Sequence, residues 1–234
     1  MSPTTSRYFF SVALLLLVLP LCAQDRIEGD SSKYRFLPTG IRIGTDLLSI
    51  GKTYYTDYFS GWEINVDADI YRRYYVTADY GSWYTSYALG NGFYSSDGKY
   101  FRVGVDINFL LNNPDRNMLF LGVRRGHTNY SDYTDYSYNY TPLGNYQLHA
   151  ENPNAKANWN ELTAGLRVKI WKFIWVGATG RVKFGYKGKG QTDLLSYDVP
   201  GYGRTFKNGW WGLNYQLFIR IPVREDKKPT ITIP

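Results

Sequence analysis

The chain has 234 residues, 27 Lys and Arg against 20 Asp and Glu, and a formal net charge of +7. That length fits one domain, and 20% charged residues beside 44% hydrophobic ones exclude a disordered chain. Aromatic residues reach 18%, with 23 Tyr and 7 Trp, which is high for a soluble enzyme and suits both strands and anchoring at a membrane interface.

The first element is an N-terminal leader. "MSPTTSR" brings one cation, Arg7, ahead of the apolar run "YFFSVALLLLVLPLC". That run is shorter than the roughly 20 residues a membrane-spanning helix needs. It closes in "LCAQD", with the small Ala23 at the cleavage point. Residues 1–23 therefore read as a cleaved secretory signal peptide, with an uncleaved anchor as the alternative. The one cysteine, Cys22, lies inside this segment. Acylation of Cys22, as in a lipoprotein, ranks second because Leu21 is bulky. Cleavage after Ala23 leaves no thiol, so disulfides and cysteine-based zinc sites are excluded.

Eight segments of about ten residues then alternate with period two, the strand signature. In "TGIRIGTDLL" Ile41, Ile43, Thr45 and Leu47 oppose Arg42, Gly44 and Asp46. In "GWEINVDADI" Trp62, Ile64, Val66, Ala68 and Ile70 oppose Glu63, Asn65, Asp67 and Asp69. "YYVTADYGSW" sets Tyr74, Val76, Ala78 and Tyr80 against Thr77, Asp79 and Gly81. "FRVGVDINF" sets Phe101, Val103, Val105, Ile107 and Phe109 against Arg102, Gly104, Asp106 and Asn108. "MLFLGVRRG", "NELTAGLRVKI", "FIWVGATGRVKF" and "WWGLNYQLFIRI" repeat the pattern with Arg124, Glu161, Arg167, Lys169, Arg181, Lys183 and Arg220 on the polar face. About ten residues is the length of a tilted membrane strand.

Connections alternate in length too. Short ones fall at 71–73, 111–117 and near Lys172, and longer ones at 49–61, 84–99, 126–158 and 185–208. Short turns on one rim and long loops on the other are the pattern of a bacterial outer-membrane barrel. Trp62, Trp83, Phe101, Trp159, Trp210 and Trp211 fall beside the long loops, and Tyr71, Tyr74, Phe109, Trp171 and Phe173 beside the short turns, as two interfacial belts. A lipocalin-like barrel or a β-sandwich would put the apolar face inward and would need no belts.

The segments "FLPTGIRIGTDLL", "MLFLGVRRGHTNY", "WNELTAGLRVKIWKFIWVGATGRVKF" and "GLNYQLFIRIP" resemble a family of uncharacterised small outer-membrane β-barrels, a domain of unknown function. The resemblance spans Tyr34 to Val223, implies the fold and brings no activity. Gly212, Tyr215 and Leu217 also resemble the final-strand pattern of outer-membrane barrels, which implies the insertion machinery as a partner. The polar tail "REDKKPTITIP" departs from the usual terminal aromatic.

The expectation is thus an all-β protein, an eight-stranded antiparallel transmembrane β-barrel of up-and-down meander topology, over residues 24–223, with a polar periplasmic tail at 224–234. Such a barrel is just wide enough inside for side chains. The first four strands would send Asp46, Glu63, Asp67, Asp69, Asp79 and Asp106 inward with Arg42 and Arg102. The last four would send Arg124, Arg167, Lys169, Arg181, Lys183 and Arg220 inward with Glu161. Seven acids facing eight bases favour a closed ion-pair network over a conducting pore, since unpaired buried charges are costly. Inward Gly44, Gly81, Gly104, Gly122, Gly165, Gly177 and Gly212 would leave room for long Arg and Lys side chains.

Catalytic signals are sparse. His127 and His149 both fall in the third long loop, with Ser131 and Asp132 near His127. These are the parts of a nucleophile site, but only geometry makes one. Two histidines are too few to argue for a metal site. The same loop carries Tyr130, Tyr133, Tyr136, Tyr138, Tyr140 and Tyr146, amphipathic rings suited to surface contacts. "GYKGKGQT" lacks the strand–loop–helix context of a phosphate loop. The expected protein is a plugged structural or surface-binding module of the outer membrane, not an enzyme, without cofactor. It would bind through Tyr130, Tyr133, Tyr136, Tyr138 and Tyr140. Its partners would be outer-membrane lipid, lipopolysaccharide and an unidentified envelope protein, and not nucleic acid. A lipid-modifying acyltransferase or deacylase using a loop histidine, and a narrow channel, are the alternatives.

Overall fold

The computed structural model describes residues 39–71, 73–110, 113–140, 144–206 and 209–223. The leader at 1–23 and the tail at 224–234 lie outside the described residues. Period-two alternation becomes strands throughout: β1 (Gly40–Asp46), β2 (Phe59–Tyr71), β3 (Tyr74–Leu89), β4 (Gly92–Asn108), β5 (Met118–Tyr140), β6 (Gly144–Trp171), β7 (Ile174–Lys189) and β10 (Trp210–Pro222). Two further strands of two residues each, β8 (Asp198–Val199) and β9 (Gly203–Arg204), form a separate hairpin. All pairing is antiparallel, and the order β1-β10-β7-β6-β5-β4-β3-β2 closes into a ring because β1 pairs with both β10 and β2.

The alternation is inverted relative to a water-soluble barrel. Apolar positions face outward: Val123 is 52% exposed, Leu213 57% and Ile219 54%. Charged positions on the same strands face inward: Arg102, Asp79 and Glu161 are all buried. Inward glycines sit where a side chain would collide. At Gly165 an added Cβ would lie 2.8 Å from Phe120 Cζ, and at Gly81 2.6 Å from Tyr100 Oη.

Three features depart from the sequence expectation. The first strand stops at Asp46 instead of running through Leu47 and Leu48, and a nine-residue helix, α1 (Leu47–Tyr55), occupies part of the expected loop. Asp46 is its N-cap: Oδ1 accepts from Leu48 N at 3.4 Å, while Oδ2 accepts from Ser49 N at 3.2 Å and Ser49 Oγ at 2.6 Å. The 84–99 and 126–158 connections are not loops. β3 and β4 pair up to the two-residue turn at Gly90–Asn91, and β5 and β6 pair up to Tyr140 and Gly144, so these hairpins rise beyond the ring as a wall. Lastly, Trp83 and Trp159 belong to no outer belt. Both pack inside the mouth, Trp159 fully buried.

Candidate functional site

The lumen holds one continuous ion-pair ladder. It begins at the short-turn end, where Asp67 Oδ1 accepts from Arg42 Nε at 2.7 Å and Asp67 Oδ2 accepts from Arg167 Nη1 at 2.6 Å. Arg167 continues to Asp106 at 3.4 Å, and Asp106 to Arg124 at 3.3 Å. Arg124 reaches Asp79 at 2.5 Å, and Asp79 also meets Arg102 at 3.2 Å and Arg181 at 3.4 Å. Arg102 bonds Glu63 and lies 3.6 Å from Glu161, while Arg181 lies 3.1 Å from Glu161 and 3.7 Å from Glu63. Five arginines (42, 102, 124, 167, 181) thus meet five carboxylates (63, 67, 79, 106, 161), all buried. Removing one partner of such a pair costs about 3–5 kcal/mol because the other is left uncompensated.

The other inward charges have different partners. Asp46 is buried but bonds the helix start and Tyr215 N at 3.0 Å, not a base. Asp69 accepts from the backbone N–H groups of Thr39 and Gly40, both at 2.9 Å. Lys183 is buried and donates to Gly201 O at 2.8 Å and Tyr202 O at 3.0 Å. Lys169 and Arg220 are corrections to the interior set. Both are half-exposed at the short-turn rim, where Lys169 Nζ meets Asp115 Oδ1 at 3.1 Å and Arg220 Nη2 donates to Thr39 Oγ1 at 3.2 Å. Lys169 sits one pair short of the end of the β6–β7 ladder and Arg220 one residue past the last β10–β7 pair, opposite Arg42 on β1, so both side chains stay at the partly open end of the lumen.

Above the ladder the mouth is filled. Tyr100 Oη donates to Glu63 at 2.7 Å and Trp159 Nε1 to Glu161 at 2.7 Å, tying the aromatic layer to the charges beneath. The segment from β7 to β10 folds back into the mouth, with Val199 and Tyr202 fully buried among Tyr100, Tyr130 and Trp159. Gly201 has φ +79° and packs flat on Tyr100: a Cβ there would sit 2.5 Å from the ring, so only glycine fits. A polar collar surrounds this plug. Tyr94 Oη donates to Asp132 at 2.8 Å, Tyr87 Oη to Asp198 at 2.7 Å, and Asn152 to Asp132 at 2.8 Å. Burial, with the adjacent carboxylates, pushes the Tyr87 and Tyr94 phenols up, and burial pushes the Asp198 carboxyl up.

The predicted tyrosine contact set does not stay together. Tyr130 is buried inside the mouth, sharing a 2.8 Å hydrogen bond with Ser196 Oγ, because its strand position points inward. It is therefore a core residue, not a surface contact. Tyr133 faces outward and packs edge-on against Phe93 at 5.2 Å. Tyr136 is half-buried, and the side chains of Tyr138 and Tyr140 lie outside the described residues. The catalytic parts are also dispersed. His127 and Ser131 face outward four residues apart on β5, about 13 Å along a strand. Asp132 points into the mouth. His127 Nδ1 bonds Asn158 Oδ1 at 2.9 Å, and His149 Nδ1 bonds Asp135 Oδ1 at 2.7 Å on the exposed hairpin. The Asp135 hydrogen bond and charge raise the His149 imidazole above its ordinary value.

Comparison with known proteins returns no match among curated ones. Among solved structures, the chain is similar to the N-terminal β-barrel domain of Pseudomonas aeruginosa OprF, at 7% identity and a TM-score of 0.36, covering 79% of this chain and 98% of that one. It is also similar to Acinetobacter baumannii CarO, at 11% identity and a TM-score of 0.39, covering 81% of this chain and all of that one. The family model described as a domain of unknown function (DUF6048) matches residues 5–226, and the chain belongs to that family.

Proposed function

We propose that the chain is an integral bacterial outer-membrane β-barrel with a sealed interior, serving as a structural or surface-presenting module. The observation that carries this reading is the inversion: between the two aromatic rims the outward side chains of the ring are mostly apolar, and the ladder charges are inside. In water such a surface would be one large apolar patch of the kind soluble monomers avoid. In a bilayer it is the required face, since an outward Arg or Lys near the midplane would cost about 2–4 kcal/mol. Tyr74, Phe109, Trp171 and Phe173 at one rim, with Trp62, Phe101 and Trp211 at the other, are exposed where amphipathic rings favour an interface. Under this reading the short turns are periplasmic and the β3–β4 and β5–β6 hairpins are extracellular. Lipid and lipopolysaccharide surround the barrel, and the insertion machinery places it there.

The deciding experiment is folding of the mature chain with and without amphiphile. A barrel of this kind gains strand structure and heat-modifiable gel migration only in detergent or lipid. A monodisperse folded monomer in plain buffer would reject the reading. Catalysis lies outside it, and an unchanged lipid A acyl pattern in a His127/His149 double substitution is the expected result.

A further inference from the structure

The outer wall is not uniform around the ring. Where β1, β2 and β10 face outward, the upper part of the apolar band exposes Trp62, Ile64, Trp211 and Leu213. Across β4–β7 the same edge is cationic. Register places Lys99, Asn129, Lys156 and Lys189 in one row over four adjacent strands, with Phe101, His127, Asn158 and Lys187 in the row beneath. Neighbouring strands lie about 4.8 Å apart, so each row spans roughly 14 Å. Arg125 faces outward one row lower and donates to Asn160 Oδ1 at 2.8 Å. Lys99, Lys156, Lys187 and Lys189 are exposed and make no ion pair among the described residues.

Local irregularities in the strands build this patch. Between Asn158 and Asn160 of β6 the register with β7 shifts, where Gly185 adopts φ +65°. One extra residue on a strand flips every later side chain to the other face. Tyr186 therefore turns into the mouth, and Lys187 and Lys189 turn outward. A second shift, at Tyr130/Asp132 against β6, displaces Pro153 and Asn154 and helps open a cleft of about 660 Å³. Lys99, His127, Asn129, Ser131, Asn154 and Lys156 line it, with Tyr80 and Phe101 also in its wall, and Asp97 is the one carboxylate among the lining residues described.

We propose that this cleft and its lysine row bind the phosphorylated headgroup of a glycolipid in the outer leaflet. The inference rests on the membrane orientation proposed above. Lysines act as point charges toward phosphate, and basic clusters at a membrane surface gain from anionic headgroups. Asn129, Ser131 and Asn154 supply the neutral donors and acceptors that sugar hydroxyls need. The volume is in the range of small-molecule sites. A lipid, not a soluble phosphate, is the occupant, because exposed Val103, Val105, Leu121, Val123 and Leu162 continue directly below and offer acyl chains a surface.

The test is native mass spectrometry of the mature barrel released from mixed micelles containing bis-phosphorylated lipid A. The comparison is with the Lys99→Gln/Lys156→Gln/Lys187→Gln/Lys189→Gln variant. The wild type should retain this lipid about tenfold more than the variant, while dephosphorylated lipid A binds both alike. Millimolar inorganic phosphate should not displace it. Equal retention by the variant, or displacement by phosphate alone, overturns the proposal. Retention of dephosphorylated lipid at the wild-type level does so too. Should the fourfold variant fail to fold, Lys187→Gln/Lys189→Gln, beyond the lumen, should still cut retention about threefold, and undiminished retention there overturns the proposal. Heat-modifiable migration in phosphatidylcholine alone separates the two readings. A barrel that folds in neutral lipid but ignores lipid A rejects the site only, whereas a chain that folds in no lipid rejects both.

Discussion

Arg167 on β6 reaches across the lumen to Asp67 on β2, with Nη1 2.6 Å from Oδ2 and one hundred residues of sequence between them. The two strands lie on opposite sides of the ring, so this bond ties wall to wall. Arg167 also stacks between Phe120 and Phe218, its guanidinium 4.7 and 4.9 Å from the ring centroids. Arg167→Met keeps much of the stacking volume but strips Asp67 and Asp106 of a partner. The expected destabilisation is about 3–5 kcal/mol, read as a lower urea midpoint in lipid vesicles. Adding Asp67→Asn should restore part of the loss, because Arg42 can bond the amide oxygen and the uncompensated charge is gone. No recovery in the double variant would argue that packing, not charge, holds the pair.

Gly122 and Gly180 make a matched pair of tests. A Cβ at Gly122 would collide with the Asp106 carboxylate and lie 2.7 Å from Thr163 Oγ1. At Gly180 the nearest atom is 3.8 Å away. Gly122→Ala should therefore cost about 1–3 kcal/mol by overpacking. Gly180→Ala should stay within about 0.5 kcal/mol of wild type. Equal effects in vesicle unfolding would mean that lumen crowding does not set the choice of glycine.

How much of this was legible in the sequence follows the reach of the interactions. Period-two alternation needs only local chemistry, and it located the ring strands and the inward charges other than Lys169 and Arg220. Partners were not legible, since Arg167–Asp67 depends on ring closure. The β5–β6 wall reads as a loop because beyond the ring polar residues such as Ser131, Asp135 and His149 interrupt any apolar alternation. The same cause misplaced Tyr130, whose inward direction is set by its register with Ala155. Helix α1 carries a local signal weaker than the strand alternation that runs into it: Asp46 with Ser49 three residues on is an N-cap pattern, and Lys52 sits in the last turn. The plug could not be read at all, because Val199, Gly201 and Tyr202 look like loop residues until Tyr100 and Trp159 are brought beneath them.

His149 gives a pH signature. Its hydrogen bond to Asp135, together with that carboxylate's charge, raises the imidazole above the ordinary value of 6.5, with Glu151 adding to the effect. A raised folded-state value means that the contribution to hairpin stability is fully present below the unfolded value and is lost as pH rises through the folded one. An NMR titration should place His149 above 6.5, and Asp135→Asn should bring it back down. Hydrogen exchange at the β5–β6 tip should quicken over that same interval in the wild type and not in the variant. A His149 that titrates identically in both proteins would mean the contact does not persist in solution.

The plug and the ladder form two barriers in series, and this yields the sharpest test of the sealed interior. Replacing residues 194–206 with a short Gly/Ser linker removes Val199 and Tyr202 and deprives Lys183 of its two carbonyl partners. Stability should fall by roughly 2–5 kcal/mol, as for other losses of large buried side chains. Conductance should not follow. Beneath the plug Arg102, Arg181, Glu63 and Glu161 still fill the section, bonded to one another and not to the removed segment. An ion would have to break several of those pairs to pass, and each break leaves buried charges uncompensated. In planar bilayers the plug-less barrel should therefore show no more steady current than the intact one. If removal of the segment alone opened a steady pore, the ladder could not be the seal, and the mouth would have to be read as a gate.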